Sequence, residues 1–90
     1  MNKDNQPICD IDLFKIKRWI LNNQYHREDG PAIEFTDGTK CWYFHGQRHR
    51  LNGPAIECSD GEEFWYYHGK YIDCYSQKEF ERLIKLKVLW

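Results

Sequence analysis

The chain has little of what most function classes require. No apolar run approaches the ~18 residues of a spanning helix. The opening MNKDNQP is polar with no apolar stretch behind it, so no secretory signal and no membrane contact are expected. Excess charge of either sign is missing too: 13 Lys and Arg stand against 14 Asp and Glu, a net charge of −1. A protein drawn onto phosphates would carry a basic excess, so direct nucleic-acid binding is not expected. The four cysteines, Cys9, Cys41, Cys58 and Cys74, form no C-x-x-C pair and fit no zinc spacing. Reduced thiols in a cytoplasm (the host's, if the chain is viral) are the expectation, each acting as a small apolar residue. No serine sits in a nucleophile elbow, and no glycine-rich phosphate loop leads into a helix. The expectation is a protein without catalytic residues, metal or cofactor.

What is present is a repeat. His26 to Gly46 reads HREDGPAIEFTDGTKCWYFHG, and His49 to Gly69 reads HRLNGPAIECSDGEEFWYYHG, 23 residues later and without a gap. Repeats of this length signal stacked supersecondary units. Stepping back 23 residues from Trp42 lands on Trp19, and from His45-Gly46 on Asn22-Asn23, so a degenerate half unit precedes the two full ones. The 90 residues therefore divide into an N-terminal segment (1–14), a half repeat (15–25), repeat 1 (26–48), repeat 2 (49–71) and a closing helix (76–89). Residues 1–10 are expected to be loosely attached, with Ile8, Ile11, Leu13 and Phe14 as residues that dock on the sheet.

Turn chemistry orders the units. Asn22-Asn23, His45-Gly46 and His68-Gly69 suit two-residue hairpin turns, and Asp37-Gly38 and Asp60-Gly61 look like the same. Gly30-Pro31 and Gly53-Pro54 open each new strand, where a missing N–H is tolerated. The predicted fold is α+β and mainly β: a twisted antiparallel meander of repeated hairpins, with a C-terminal α-helix on one face. Aromatic residues at 17% supply the core of so short a chain.

A two-residue turn at Asp37-Gly38 sets Ile33 opposite Trp42 and Glu34 opposite Cys41. The second unit then sets Ile56 opposite Trp65 and Glu57 opposite Phe64. Period-2 alternation assigns Trp19, Leu21, Ile33, Phe35, Trp42, Phe44, Ile56, Cys58, Trp65 and Tyr67 to a core face. The other face is assigned Ile20, Ala32, Glu34, Cys41, Tyr43, Ala55, Glu57, Phe64 and Tyr66, which separates Cys41 from Cys58. The helix begins at a capping box, Ser76 with Glu79, followed by Phe80, Leu83, Ile84 and Val88 at helical spacing. Its basic residues are Lys78, Arg82, Lys85 and Lys87.

The histidines invite a catalytic reading. His26 and His49, however, share one repeat position, facing Trp19 and Trp42, and the third copy of that pairing is Trp65 with Ile72. A slot that also takes isoleucine is a packing slot. Glu34 and Glu57 recur likewise, and a paired-carboxylate hydrolase would need a cleft that a meander does not offer. Features that do not recur are the better functional candidates: Glu62-Glu63 where the first unit has Thr39-Lys40, and Phe64 for Cys41. With the second-face aromatics they define an expected partner surface of Glu34, Tyr43, Glu57, Glu62, Glu63, Phe64 and Tyr66, aromatic anchors ringed by charge.

The unit H-R-x-[DN]-G-P-A-I-E-x-x-D-G-x-x-x-W-Y-x-H-G resembles a MORN-like repeat of the HRxDGPA type common in bacteriophage and large-virus proteins. The resemblance covers His26 to Gly69, with the half unit from Trp19. It implies antiparallel hairpins in a row and a scaffold or interaction module, and it brings no catalytic residues. The functional expectation is a non-enzymatic protein-binding module, a phage-encoded inhibitor that blocks a host defence effector as anti-CRISPRs do. An antitoxin or scaffold repeat is the alternative, and a nucleic-acid accessory protein a further one. An edge strand left open would allow homo-oligomers.

Overall fold

The computed structural model describes residues 6–86. The chain forms β1 (Ile8–Ile11), β2 (Lys17–Leu21), β3 (Gln24–Tyr25), β4 (Ile33–Glu34), β5 (Lys40–Cys41), β6 (Tyr43–Phe44), β7 (Gln47–Arg48), β8 (Ile56–Glu57), β9 (Glu63–Tyr67), β10 (Lys70–Ile72) and the helix α1 (Gln77–Leu86). The main sheet runs β1-β2-β4-β5-β8-β9-β10, with β3 also paired to β2 and β6-β7 as a separate hairpin. Every pairing is antiparallel. The architecture is therefore the expected α+β, mainly β meander with one C-terminal helix.

Three tight turns follow their residues. Asn22 and Asn23 have φ of 53° and 64°, His45 and Gly46 have 50° and 82°, and His68 and Gly69 have 48° and 84°. Two successive positive φ values make the hairpin turn whose twist matches the strands it joins. The resulting short hairpins stack in a row: Gly46 N–H donates to the Tyr25 carbonyl at 2.8 Å, and Gly69 N–H to that of Arg48 at 2.7 Å.

The Asp-Gly turns differ from expectation. Phe35 N–H donates to the Thr39 carbonyl and Gly38 N–H to that of Phe35, so the loop holds three residues, not two. Gly38 and Gly61 take φ of 98° and 95°, the left-handed position of a type I turn closed by a bulge. Asp37 Oδ1 and Asp60 Oδ1 accept the N–H two residues on, at 2.9 and 3.0 Å. The extra loop residue shifts the register by one. Ile33 lies opposite Cys41 and Glu34 opposite Lys40, while Ile56 lies opposite Phe64 and Glu57 opposite Glu63. A one-residue slip moves side chains to the other face, so Ile33, Phe35, Ile56 and Cys58 leave the tryptophan side. Cys58 joins Cys41 there; both thiols are free, as is that of each other cysteine.

Residues expected to be loose form an edge strand instead. Ile8 to Ile11 pairs with β2 over Ile20 to Lys17. All four side chains are exposed, so no alternation marked this strand in the sequence. The loop after it is rigidly built: Asp12 Oδ1 accepts N–H groups of Phe14 and Ile16, and Oδ2 accepts Arg18 at 2.8 Å. Leu13 is 94% and Phe14 75% exposed, so neither docks on the sheet as expected; Ile8 and Ile11 join it by backbone pairing, with their side chains exposed.

Ser76 caps α1, its Oγ accepting the Glu79 N–H, while Glu79 Oε1 reaches back to the Tyr75 N–H. Phe80 is fully buried against Trp65 and Ile72, with Tyr67, Cys74, Leu83 and Ile84 packed around them. The helix covers one end of the tryptophan face and not its whole length. Val88 and Lys87, expected in the helix, lie outside the described residues. Among the described residues no helix is long and apolar enough to cross a membrane.

Candidate partner-binding faces

The corrected register gives the sheet two chemically distinct sides. On the tryptophan side, Lys17, Glu34, Lys40, Glu57 and Glu63 oppose one another across successive strands. On the other side, Arg18, Ile33, Cys41, Ile56 and Phe64 do the same. The seven expected partner residues are thereby split. Glu34, Glu57 and Glu63 share the tryptophan side, whereas Tyr43, Glu62, Phe64 and Tyr66 belong to the opposite one.

Glu34 and Glu57 are also engaged. Arg27 lies 3.8 Å over the Trp19 ring, and Arg50 lies 3.7 Å over Trp42. Arg27 Nη1 donates to the Pro31 carbonyl and to Glu34 Oε2 at 3.3 Å, and Nε donates to Asp29. Arg50 repeats this with Pro54, Asn52 and Glu57, the last at 2.7 Å. A planar guanidinium suits this combination of stacking and forked donation. The glycine of each turn makes room for it: a Cβ on Gly30 would stand 2.9 Å from Arg27 Cζ, and one on Gly53 2.6 Å from Arg50 Cζ. The recurring glutamates thus complete a roof over Trp19 and over Trp42.

The histidines are committed in the same way. His26 is 1% exposed, and its Nδ1 accepts the His45 N–H at 2.9 Å. His49 Nδ1 accepts the His68 N–H at 2.8 Å. The rings stack at 4.2 Å and 4.0 Å. Positive φ costs a non-glycine residue about 1–2 kcal/mol, and here the bond and the stack offset that strain. Both ring nitrogens at Nδ1 act as acceptors, which fixes the Nε2–H tautomer in the neutral form. Burial, and then the neighbouring His68, push the His49 pKa below its ordinary value.

On the opposite side an aromatic band runs across the units. Phe64 and Tyr71 are 6.5 Å apart, Tyr66 and Tyr71 5.6 Å, and Tyr43 and Tyr25 5.2 Å. Arg48 bridges the middle, 5.8 Å from the Tyr43 ring and 5.3 Å from that of Tyr66. Arg48 was missed in the sequence reading, yet a signal existed. The residues 23 before and after it are Tyr25 and Tyr71. One arginine stands in a tyrosine row, which is the non-recurring kind of feature that singled out Phe64.

Glu62 sits at a hairpin tip with Cys58 and Asp60, where one ligand atom from each lies within 4.8 Å of the others. Burial, then Asp60 and Glu62, push the Cys58 thiol pKa up. No family model, curated protein or solved structure matches the chain.

Proposed function

We propose that this chain is a non-enzymatic protein-binding module of MORN-like type that engages its partner through the Tyr43–Arg48–Tyr66–Tyr71 band and Phe64. The observation that carries this reading is Arg48. It breaks a recurring tyrosine row and lies between two half-buried tyrosine rings. Tyrosine and arginine together are the residue types that dominate binding energy in protein interfaces. The engagement of Glu34 and Glu57 by arginines moves the partner surface away from an acidic patch and onto this band. That the partner is a host defence effector, blocked by the encounter, rests on the resemblance of the repeat.

The test is affinity capture from a bacterial lysate with nuclease present, comparing the wild type with the double variant Arg48→Ala/Tyr66→Ala. One stoichiometric protein held by the wild type and lost by a folded variant is expected. Equal capture by both, or no protein held by the wild type, sinks the reading.

A further inference from the structure

Three equivalent grooves lie along the tryptophan side, one per 23-residue step. The first is bordered by Trp19, Arg27 and the Gln6-Pro7 segment. The second, of about 850 Å³, lies between the loop of Glu28 to Pro31 on one bank and Trp42, Phe44, His49 and Leu51 on the other. Adding 23 to the second set gives the surroundings of α1: Leu51 to Pro54, Trp65, Tyr67, Ile72 and Cys74. In that third position the groove is filled. Trp65 Nε1 donates to Gln77 Oε1 at 2.8 Å, and Gln77 Nε2 donates to the Leu51 carbonyl at 2.8 Å. Phe80 is seated between Trp65 and Ile72. The chain itself therefore displays what such a groove accepts: one face of an amphipathic helix, led by a side-chain amide and followed three residues later by an aromatic anchor.

We propose that the middle groove docks an amphipathic helix of a partner protein, and that this helix is basic along the lip. Two differences between the grooves carry the second part. Where the filled groove has Leu51 and Asn52 on its bank, the middle one has Glu28 and Asp29; Asp29 is held by Arg27 at 3.1 Å, while Glu28, 74% exposed and 3.6 Å from His26 Nε2, is the carboxylate open to a partner. On the far bank, Leu51 takes the place of Cys74 and is 53% exposed, an apolar residue facing solvent across the groove. Arg50, already spent on Trp42, Glu57 and Pro54, keeps the tryptophan roofed and leaves Phe44 and Leu51 as the apolar seat. The resident Glu81, which accepts from Gln77, would face Glu28 at the equivalent place and be repelled. A lysine there pairs with it. This surface is separate from the tyrosine band and stands or falls independently of it.

The probe is a capped synthetic peptide covering residues 75–86 of this chain with Glu81→Lys, titrated into the ¹⁵N-labelled full chain. Short isolated helices are marginal, so an affinity on the order of 1 mM is expected. The Trp42 indole N–H signal should shift and saturate while that of Trp65 stays in place. Leu51→Asp should abolish the shift, and Glu28→Lys should weaken binding roughly two- to five-fold, the scale of one exposed pair. Leu51 and Glu28 are exposed and neither side chain bonds the arginine roof, so the fold survives the substitutions. A Trp65 shift in place of a Trp42 shift, or no saturable shift, overturns the proposal. Equal binding by the unsubstituted peptide overturns it in favour of the helix of a second copy.

Discussion

Units 1 and 2 share a skeleton almost residue for residue, yet their tryptophans are finished differently. Trp42 is roofed by Arg50, which enters from the next unit, as Arg27 roofs Trp19. Trp65 has no such arginine to follow, because Ile72-Asp73 stands where His-Arg would be. The helix supplies the roof instead, with Gln77 on the indole nitrogen and Phe80 beside the ring. Trp19, Trp42 and Trp65 are thus each completed by the segment after them. An array of this kind cannot simply stop, and α1 is the stop.

This comparison can be broken most forcefully at the helix. Phe80→Ala empties a fully buried site and should destabilise by about 3–5 kcal/mol. Denaturant unfolding should show it, with loss of the Trp65 environment before that of Trp42. Equal loss at both tryptophans would mean that α1 supports the whole sheet and not one end.

Next in size is the arginine roof. Arg50→Lys keeps the charge but loses the fork that reaches Pro54 and Glu57 and the flat surface on Trp42. A cost of about 1–2 kcal/mol is expected, with a change in Trp42 and none in Trp65. An unperturbed melting curve would show that the stack and its bonds are replaceable.

Smaller again is the acid response of His49. Its folded pKa lies below the ordinary 6.5, so the neutral ring is favoured in the fold. The stability it contributes is complete above that unfolded value and is lost as pH falls through the folded one. Protonating Nδ1 also removes the acceptor for the His68 N–H. Melting temperature should drop as pH falls below the mid-sixes, and His49→Asn, which retains an acceptor, should flatten that slope. An identical slope in the variant assigns the acid response to other groups.

The smallest effect concerns the one place where the charge row fails. Lys17, Glu34, Lys40 and Glu57 alternate, and then Glu63 opposes Glu57. Like charges directly opposite are unfavourable, so Glu63→Lys should stabilise by about 0.2–1 kcal/mol. A loss of stability would mean that Arg50 on Glu57 already neutralises the row.

The features read correctly from residues were those carried by the residues themselves. His45-Gly46 and Asn22-Asn23 bend because these side chains tolerate positive φ, and Ser76 with Glu79 caps the helix through bonds within one turn. The register failures came from the loops Thr36-Asp37-Gly38 and Ser59-Asp60-Gly61. Asp-Gly serves both two- and three-residue hairpins, since each needs a glycine at positive φ, and nothing local counts the loop. The extra residue in that loop, and its counterpart in Ser59-Asp60-Gly61, decided the faces of Ile33 and Glu34 and of Ile56 and Glu57, and with them which of the expected partner residues belong together.

The sequence alone therefore determined the repeat, its tight turns, the helix start and the mainly antiparallel class, because each depends on backbone preferences within a few residues. The tertiary structure decided the strand register across the Asp-Gly loops, the pairing of Arg27 and Arg50 with tryptophans and glutamates, the bridging of Tyr43 and Tyr66 by Arg48, and the filling of one groove of three. Those outcomes depend on which distant strands lie side by side, and a hydrogen-bond ladder fixes that only once the whole sheet is formed.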